Sequence, residues 1–559
     1  MTVEPAEPSK NTCSKAISGQ IVKHWTVPPK HRSDEQNEAE KHLFTIYFFG
    51  RYLTLPGVAF SRWYLFFASF IVQFCMGSMY SWSVLNAPID KHIYNNSNAE
   101  RAVNAFYIAV GVFGTTTAIM GPWIERHGPR QGVMLGTTAY FIGMVISALG
   151  VHYKSIAAVY VGYGVFGGFG MGLCYISPVS ALQKWFPDYR GTAAGFAVGG
   201  YGAGSVVWGK VYLPAIRAVG LAQMFIMIGG VFAGALYFCA VVLRNPPLDF
   251  VVGGLNIHGE AVDEAERSMQ RGEKYSVMSA HEYESIVTPS NKDIQDVLEP
   301  TTNANAHVKK LTLIQAILTP DFLCMYLMFF ANQLFGLIVL SKLSNMCVNI
   351  FGKTADQGSD IVSANGVFNC LGRLVFPAIT DLLIKFFKVE HAFARKCLYV
   401  YALISQIVII AVLPALINHQ NYTGFVTVVF ILTASYGGGF GTIPAFLTDM
   451  FGAYNIGAMH GLILTAWSIG GVVGGISFNN AYKHAIKIGH TVSEAYIDNF
   501  HKILIVICIG AVFIIGVRTD PTDRFAPGYV FKIFGRRVVN IKPKNKSGDK
   551  NDLLLPSPV

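Results

Sequence analysis

A run of about 20 apolar residues can satisfy its backbone within a bilayer as a helix, and this chain carries twelve such runs. They lie near residues 62–86, 101–122, 131–151, 155–178, 190–213 and 220–243, then 318–341, 360–384, 396–417, 423–446, 457–478 and 502–518. Between the two sets of six lies a polar stretch, 244–310, rich in Glu, Ser, Asn and Lys, which cannot bury enough apolar surface to fold alone and reads as a linker. Only 14% of the residues are charged and mean hydropathy is +0.41, where soluble domains run nearer a quarter charged. The runs are long and continuous; they do not alternate as barrel strands do. The expectation is an all-α membrane protein of twelve helices in two six-helix halves. Its parts are an N-terminal tail (1–61), a first bundle (62–243), a linker (244–317), a second bundle (318–518) and a basic C-terminal tail (519–559).

Charge and cysteine content narrow the chemistry. The net charge of +10 comes from basic residues in short loops and in the C-terminal tail "GRRVVNIKPKNK", a topology signal and not a nucleic-acid patch. Arg126, His127, Arg130, Lys184, Arg190, Lys385, Lys388, Arg395 and Lys396 all fall on one side, which the positive-inside rule makes cytoplasmic, with both termini there. Glycosylation acceptors Asn95 in "NNS" and Asn421 in "NYT" then fall in outside loops. Nine cysteines, scattered through apolar runs without CxxC or Cys/His spacing, read as small core residues. No early apolar segment suggests a cleavable signal peptide. No P-loop, HExxH or paired nucleophile and base is present, so neither enzyme chemistry nor ATP-driven pumping is expected, and no cofactor.

The halves repeat one another. "GPWIERHGPR" closes the second run and "FPAITDLLIK" the eighth, placing Glu125 and Asp381 at an offset of 256 residues. "YISPVSALQKWFPDYRGTAAGFAVGGYGAG" matches "GTIPAFLTDMFGAYNIGAMHGLILTAWSIG", aligning Pro178 with Pro444, Gly191 with Gly457 and Gly195 with Gly461, each 266 apart. Parallel repeats with a site at their midplane interface belong to carriers that rock between two orientations.

Within this frame "GPWIERHGPR" resembles the loop motif of the major facilitator superfamily, G-x-x-x-D/E-R-x-G-x-R, carried here by Gly121, Glu125, Arg126, Gly128 and Arg130. Gly121 allows close helix approach, while Glu125 and the arginines can pair across the cytoplasmic face and latch one state, with Asp381 as the second-half counterpart. Three further stretches are similar to the oxalate/formate antiporter family: "GSMYSWSVLNAPI", "GMGLCYISPVSALQKWFPDYRGTAAGFAVGGYGAG" and "SYGGGFGTIPAFLTDMFG". The animal-type monocarboxylate transporters look like more distant relatives.

One residue stands out from its surroundings. Arg373 lies in "VFNCLGRLVFPAITD", and a charge near mid-membrane costs at least about 2.5 kcal/mol, so it is kept for a reason. The resemblance implies that this eighth-helix arginine binds the substrate carboxylate, a task suited to a planar fork that never loses its charge. It also implies a surrounding cage of Tyr80, Trp82, Tyr175, Tyr201, Tyr436 and Phe440. Two departures qualify it. Where oxalate exchangers of the family place a lysine in the eleventh helix this chain has Trp467, and where monocarboxylate carriers place a proton-carrying aspartate it has Asn369, which can orient the guanidinium but cannot titrate. Asn332, Gln333 and His460 are polar membrane residues read as structural, and Lys210 and Lys342 as snorkelling side chains.

The implied function is gradient-driven transport of a small monocarboxylate such as lactate, pyruvate or formate, as an exchanger, by a single chain in a lipid bilayer. An oxalate or dicarboxylate antiporter, a proton-coupled symporter and a non-transporting membrane sensor stay open as alternatives. The plasma membrane is the expected location, with "DKNDLL" (Asp549 to Leu554) fitting a sorting signal to endosomal or lysosome-like membranes as the alternative.

Overall fold

The computed structural model describes residues 24–25, 27, 32–48, 51–55, 57–96, 99, 101–247, 249–257, 262, 313–453, 455–520, 529–533 and 536–541. Most of the 244–310 stretch and the "DKNDLL" segment lie outside the described residues. The membrane helices are α1 (Trp63–Ser81, continued by Ser83–Tyr94), α2 (Val103–His127), α3 (Pro129–His152), α4 (Ile156–Trp185), α5 (Arg190–Val219) and α6 (Leu221–Val242). The second half holds α7 (Pro320–Phe351), α8 (Ala355–Phe387), α9 (His391–Asn418), α10 (Tyr422–Phe451), α11 (Ile456–Lys487) and α12 (Val492–Gly516).

Local chemistry sets the helix ends. Thr354 with Gln357 and Thr491 with Glu494 form capping boxes at the starts of α8 and α12. Pro129 and Pro320 open α3 and α7, where a missing N–H costs nothing. Gly128 and Gly220, at φ +90° and +92°, turn the chain between α2 and α3 and between α5 and α6 in a region closed to most other residues.

Eleven of the twelve helices are long and apolar enough to cross a membrane. The exception, α5, carries seven glycines along with Arg190, Lys210 and Arg217. Its glycines serve packing. A Cβ at Gly200 or Gly204 would sit 2.4 or 2.1 Å from the backbone oxygens of Phe70 or Phe74 in α1, and one at Gly195 would sit 2.4 Å from the Arg373 oxygen in α8. The helix is a wedge between α1 and α8, and small residues let the backbones meet. The halves join along two seams, α5 on α8 and α2 on α11.

Several expectations need correction. The first helix was expected to end near 86, yet it runs to Tyr94 because Asp90 is spent at the start of α2, where it accepts from the backbone N–H groups of Arg101 and Ala102 at 3.2 and 2.9 Å. Within the N-terminal tail a short helix (Asp34–Ala39) precedes an antiparallel hairpin of β1 (Thr45–Phe48) and β2 (Arg51–Thr54). Lys210 does not snorkel alone; it pairs with Asp360 across the α5–α8 seam.

Candidate functional site

The site is built on α8, which the glycines of α5 and α10 hold tightly. A Cβ at Gly195 or Gly441 would strike the Arg373 carbonyl at 2.4 or 2.3 Å, and one at Gly437 the Asn369 carbonyl at 2.3 Å. Arg373 is thereby fixed at the α5–α8–α10 junction, fully buried. Its Nε donates to Asn369 Oδ1 at 2.7 Å, Nη1 to the Val198 carbonyl at 3.4 Å and Nη2 to Tyr80 Oη at 3.3 Å. The guanidinium carbon lies 4.5 Å from the Phe440 ring centroid, 5.6 Å from that of Tyr201 and 5.8 Å from that of Tyr80. Among the described residues no carboxylate pairs with it. A guanidinium has five N–H donors; these contacts engage three.

Tyrosine and tryptophan complete the arrangement across the two halves. Tyr80 Oη of α1 and Tyr436 Oη of α10 share a hydrogen bond of 3.0 Å, and Trp467 Nε1 of α11 donates to Tyr436 Oη at 3.1 Å. Only one of the two hydroxyl protons can lie between the tyrosine oxygens, so the other can be turned toward a bound acceptor. Tyr201 packs edge-on against Tyr80 at 4.9 Å and against Tyr175 at 5.6 Å. Tyr175 Oη, Asn369 Nδ2 and His460 Nε2 are buried without hydrogen bonds, and the His460 ring lies 5.9 Å from that of Tyr175. Between the two halves, then, a cation that no carboxylate pairs with among the described residues is ringed by aromatic faces and spare polar atoms.

Of the residues read from the sequence, Arg373, Asn369, Tyr80, Tyr175, Tyr201, Tyr436, Phe440 and Trp467 come together here. Trp82 does not join them: it stacks on Tyr163 at 3.9 Å and donates to the Ala102 carbonyl at 3.1 Å, within the first bundle. It lines a small cavity that it shares with Tyr80, with Asn86, Phe106, Leu337 and Ser341 on the other walls.

On the basic face two related contacts tie the two halves together, a closed door between them. Glu125 at the end of α2 accepts from Gly457 N–H at the start of α11 at 2.6 Å, from Ser180 Oγ at 3.1 Å and from Lys184. Asp381 at the end of α8 accepts from Thr192 N–H and Oγ1 at the start of α5, at 2.6 and 2.7 Å, and from Arg395 Nη2 at 2.6 Å. Each acid sits at a helix N-terminus of the opposite half, where backbone N–H groups and the helix dipole favour an anion. Arg190 adds a third tie, donating to Asp449 Oδ1 at 3.2 Å, while Arg395 Nε donates to Asp449 Oδ2 at the same distance.

Gly121 lies where a Cβ would come 2.7 Å from Ala458 Cα, in the α2–α11 seam. Gly128 turns the chain into α3. Arg126 and Arg130, expected as partners of Glu125, instead donate to the carbonyls of His24 at 2.6 Å and Val241 at 2.9 Å. The Arg190–Asp449–Arg395 network was not legible as a site: its basic members read only as topology markers, and its pairings span 54 and 259 residues of chain. The signal available was Asp449, an acid at a helix end, in the segment that repeats the end of α4. Asn95, at the end of α1, and Asn421, at the start of α10, are exposed on the far face.

Comparison with known proteins places this geometry. A model of the Major Facilitator Superfamily matches residues 70–475. The chain belongs to that superfamily. Among superfamily members it is similar to the oxalate:formate antiporter of Oxalobacter formigenes, 21% identical over 420 residues, covering 75% of this chain and 84% of the relative. It is also similar to monocarboxylate transporter 12 of Xenopus laevis, 23% identical over 349 residues, covering 62% and 66%. The solved superfamily structure of the proton:xylose symporter XylE bound to 6-bromo-6-deoxy-D-glucose superposes with a TM-score of 0.55 at 15% identity, covering 80% of this chain and 94% of that one, which shows the shared fold. The protein is a multi-pass membrane transporter of the major facilitator type.

Proposed function

We propose that the protein carries small monocarboxylates, such as lactate, pyruvate or formate, by alternating access and as an exchanger. The observation that supports this reading most is Arg373, fully buried among aromatic rings with no carboxylate partner among the described residues. Removing a cation from water costs several kcal/mol, and a bound anion offsets that cost through charge-assisted hydrogen bonds. Tyr80, Tyr436, Tyr175 and Trp467 supply further donors, and Phe440 and Tyr201 exclude water around the pair. The similarity to an oxalate:formate antiporter and to a monocarboxylate transporter points to the same cargo class.

Exchange is supported by the lack of an acid beside Arg373 among the described residues. Asn369 stands where a proton carrier would be expected and it cannot titrate, so an empty site holds an uncompensated buried charge. Reorientation is then easier with an anion bound in either direction. The contacts of Glu125 and Asp381 tie the halves together on the basic face, taken as cytoplasmic. Asn95 and Asn421 would be glycosylated on that outer face, and the plasma membrane is the proposed location.

Uptake of radiolabelled lactate, pyruvate, formate and oxalate into proteoliposomes tests the cargo, because a sensor would bind without accumulation. Trp467 is expected to set charge preference within that panel. Replacing it by lysine puts a second cation beside Tyr436, so the ratio of oxalate to lactate competition should rise by about tenfold or more, a gain of a few kcal/mol at most. An unchanged ratio would show that residue 467 does not touch the cargo.

A further inference from the structure

The chain that follows α6 folds back onto the door on the basic face. From Leu243 it passes through Asn245–Pro246–Pro247 into a small hairpin of β3 (Val251–Val252) and β4 (Leu255–Asn256). Gly253 and Gly254 form the turn at φ +58° and +81°, the left-handed pair that a two-residue hairpin turn requires. The next residue, Ile257, is buried, and its carbonyl accepts from Arg190 Nη2 at 3.1 Å. The other terminal nitrogen of Arg190 is the one that donates to Asp449 across the seam between the halves. The hairpin and the door therefore share one guanidinium.

The base of this segment is anchored firmly. Trp185 Nε1 donates to the Arg244 carbonyl at 2.8 Å, and the Phe250 ring meets that of Trp185 at 4.7 Å. Arg244 in turn donates to the carbonyls of Glu40, His42 and Leu43 at 2.8, 3.0 and 2.6 Å and lies 4.2 Å from the centre of the Phe60 ring. Burial pushes its guanidinium down to about 10, so it stays charged at neutral pH. Among the described residues the second half has no counterpart at the matching place, since Ile456 stands at the repeat position of Arg190.

We infer that the segment 244–257 is a clasp that positions Arg190 for Asp449 and so holds the door on the basic face shut. Opening that door must separate Arg190 from Asp449 because they lie on opposite halves. With the Ile257 carbonyl in place, Arg190 is oriented toward Asp449 and costs little further ordering. Without it, the guanidinium loses a buried acceptor, its rotamer is freed and the tie weakens.

Thiol labelling of purified protein carrying Thr448→Cys measures the door directly. Thr448, next to Asp449, is buried, donating to Gln183 Oε1 at 3.2 Å, and peptide-resolved mass spectrometry separates its modification from that of the native cysteines. Gly253→Val with Gly254→Val, which forbids the turn, is expected to speed labelling of residue 448 at least threefold, and Arg190→Gln to do the same. A glycine/serine replacement of residues 251–256 at equal length is an independent arm should the valine pair impair folding. Combining the clasp change with Arg190→Gln should add nothing further, because both act through one contact. Labelling at the parental rate in the clasp variants, or fully additive effects in the combined one, would overturn the inference. The labelling reads the door whether or not carboxylates are the cargo, so its failure is distinct from failure of the transport reading.

Discussion

Arg373→Ala, expressed at wild-type levels, loses carboxylate transport by more than about 100-fold, the expected result of removing two charge-assisted hydrogen bonds at about 1.5–3 kcal/mol each. Arg373→Lys is nearly as damaging although it keeps the charge. An ammonium is a point charge without the planar fork, and it cannot bond to Asn369 and Tyr80 while presenting two parallel donors to a carboxylate. Folding should suffer little in Arg373→Ala, because that substitution removes a buried charge that no carboxylate pairs with among the described residues. Substrate uptake and thermal unfolding measured on the same preparations separate the two effects. Near-wild-type uptake by Arg373→Ala would remove the arginine from the site.

Arg395→Ala has the opposite profile, with stability as the main casualty. Arg395 is buried and joins Asp381 at 2.6 Å to Asp449 at 3.2 Å, while also donating to the Pro377 carbonyl at 3.3 Å and to Thr380 Oγ1. Its loss leaves two carboxylates with, among the described residues, Thr192 and Arg190 as their remaining side-chain partners. Breaking such a pair costs about 3–5 kcal/mol when one partner is removed. The expected outcome is a large drop in unfolding temperature in detergent, with Asp381→Asn combined with Arg395→Ala recovering part of it. No drop in the single variant would mean that the network carries little of the stability of the closed door.

These two arginines differ in how visible they are in the sequence. Arg373 stands out because a charge inside an apolar run is expensive, and that expense shows without any knowledge of its neighbours. Arg395 sits in a basic loop-to-helix segment, where topology alone accounts for it, so its role emerges only once α8, α9 and α10 are assembled. The aromatic residues show the same division. Tyr80 and Trp82 lie two apart in one glycine- and serine-punctuated segment, and sequence spacing does not say which faces the cavity. Residues 77–81 form a 3₁₀ turn; within it Tyr80 faces Arg373, and just past it Trp82 turns back onto Tyr163. The twelve-helix plan was legible because apolar length is a local property. The extension of α1 to Tyr94 was not, because it depends on Asp90 capping a different helix.

Counterflow in proteoliposomes tests the central claim most directly. Vesicles holding the purified protein are loaded with unlabelled monocarboxylate or left empty, and entry of labelled monocarboxylate is followed with and without an inward proton gradient. The account predicts that internal substrate accelerates entry severalfold, that the proton gradient does so only weakly, and that Arg373→Lys abolishes the acceleration. Strong gradient-driven accumulation into empty vesicles would contradict exchange, and undiminished counterflow in Arg373→Lys would contradict the arginine as the carboxylate anchor.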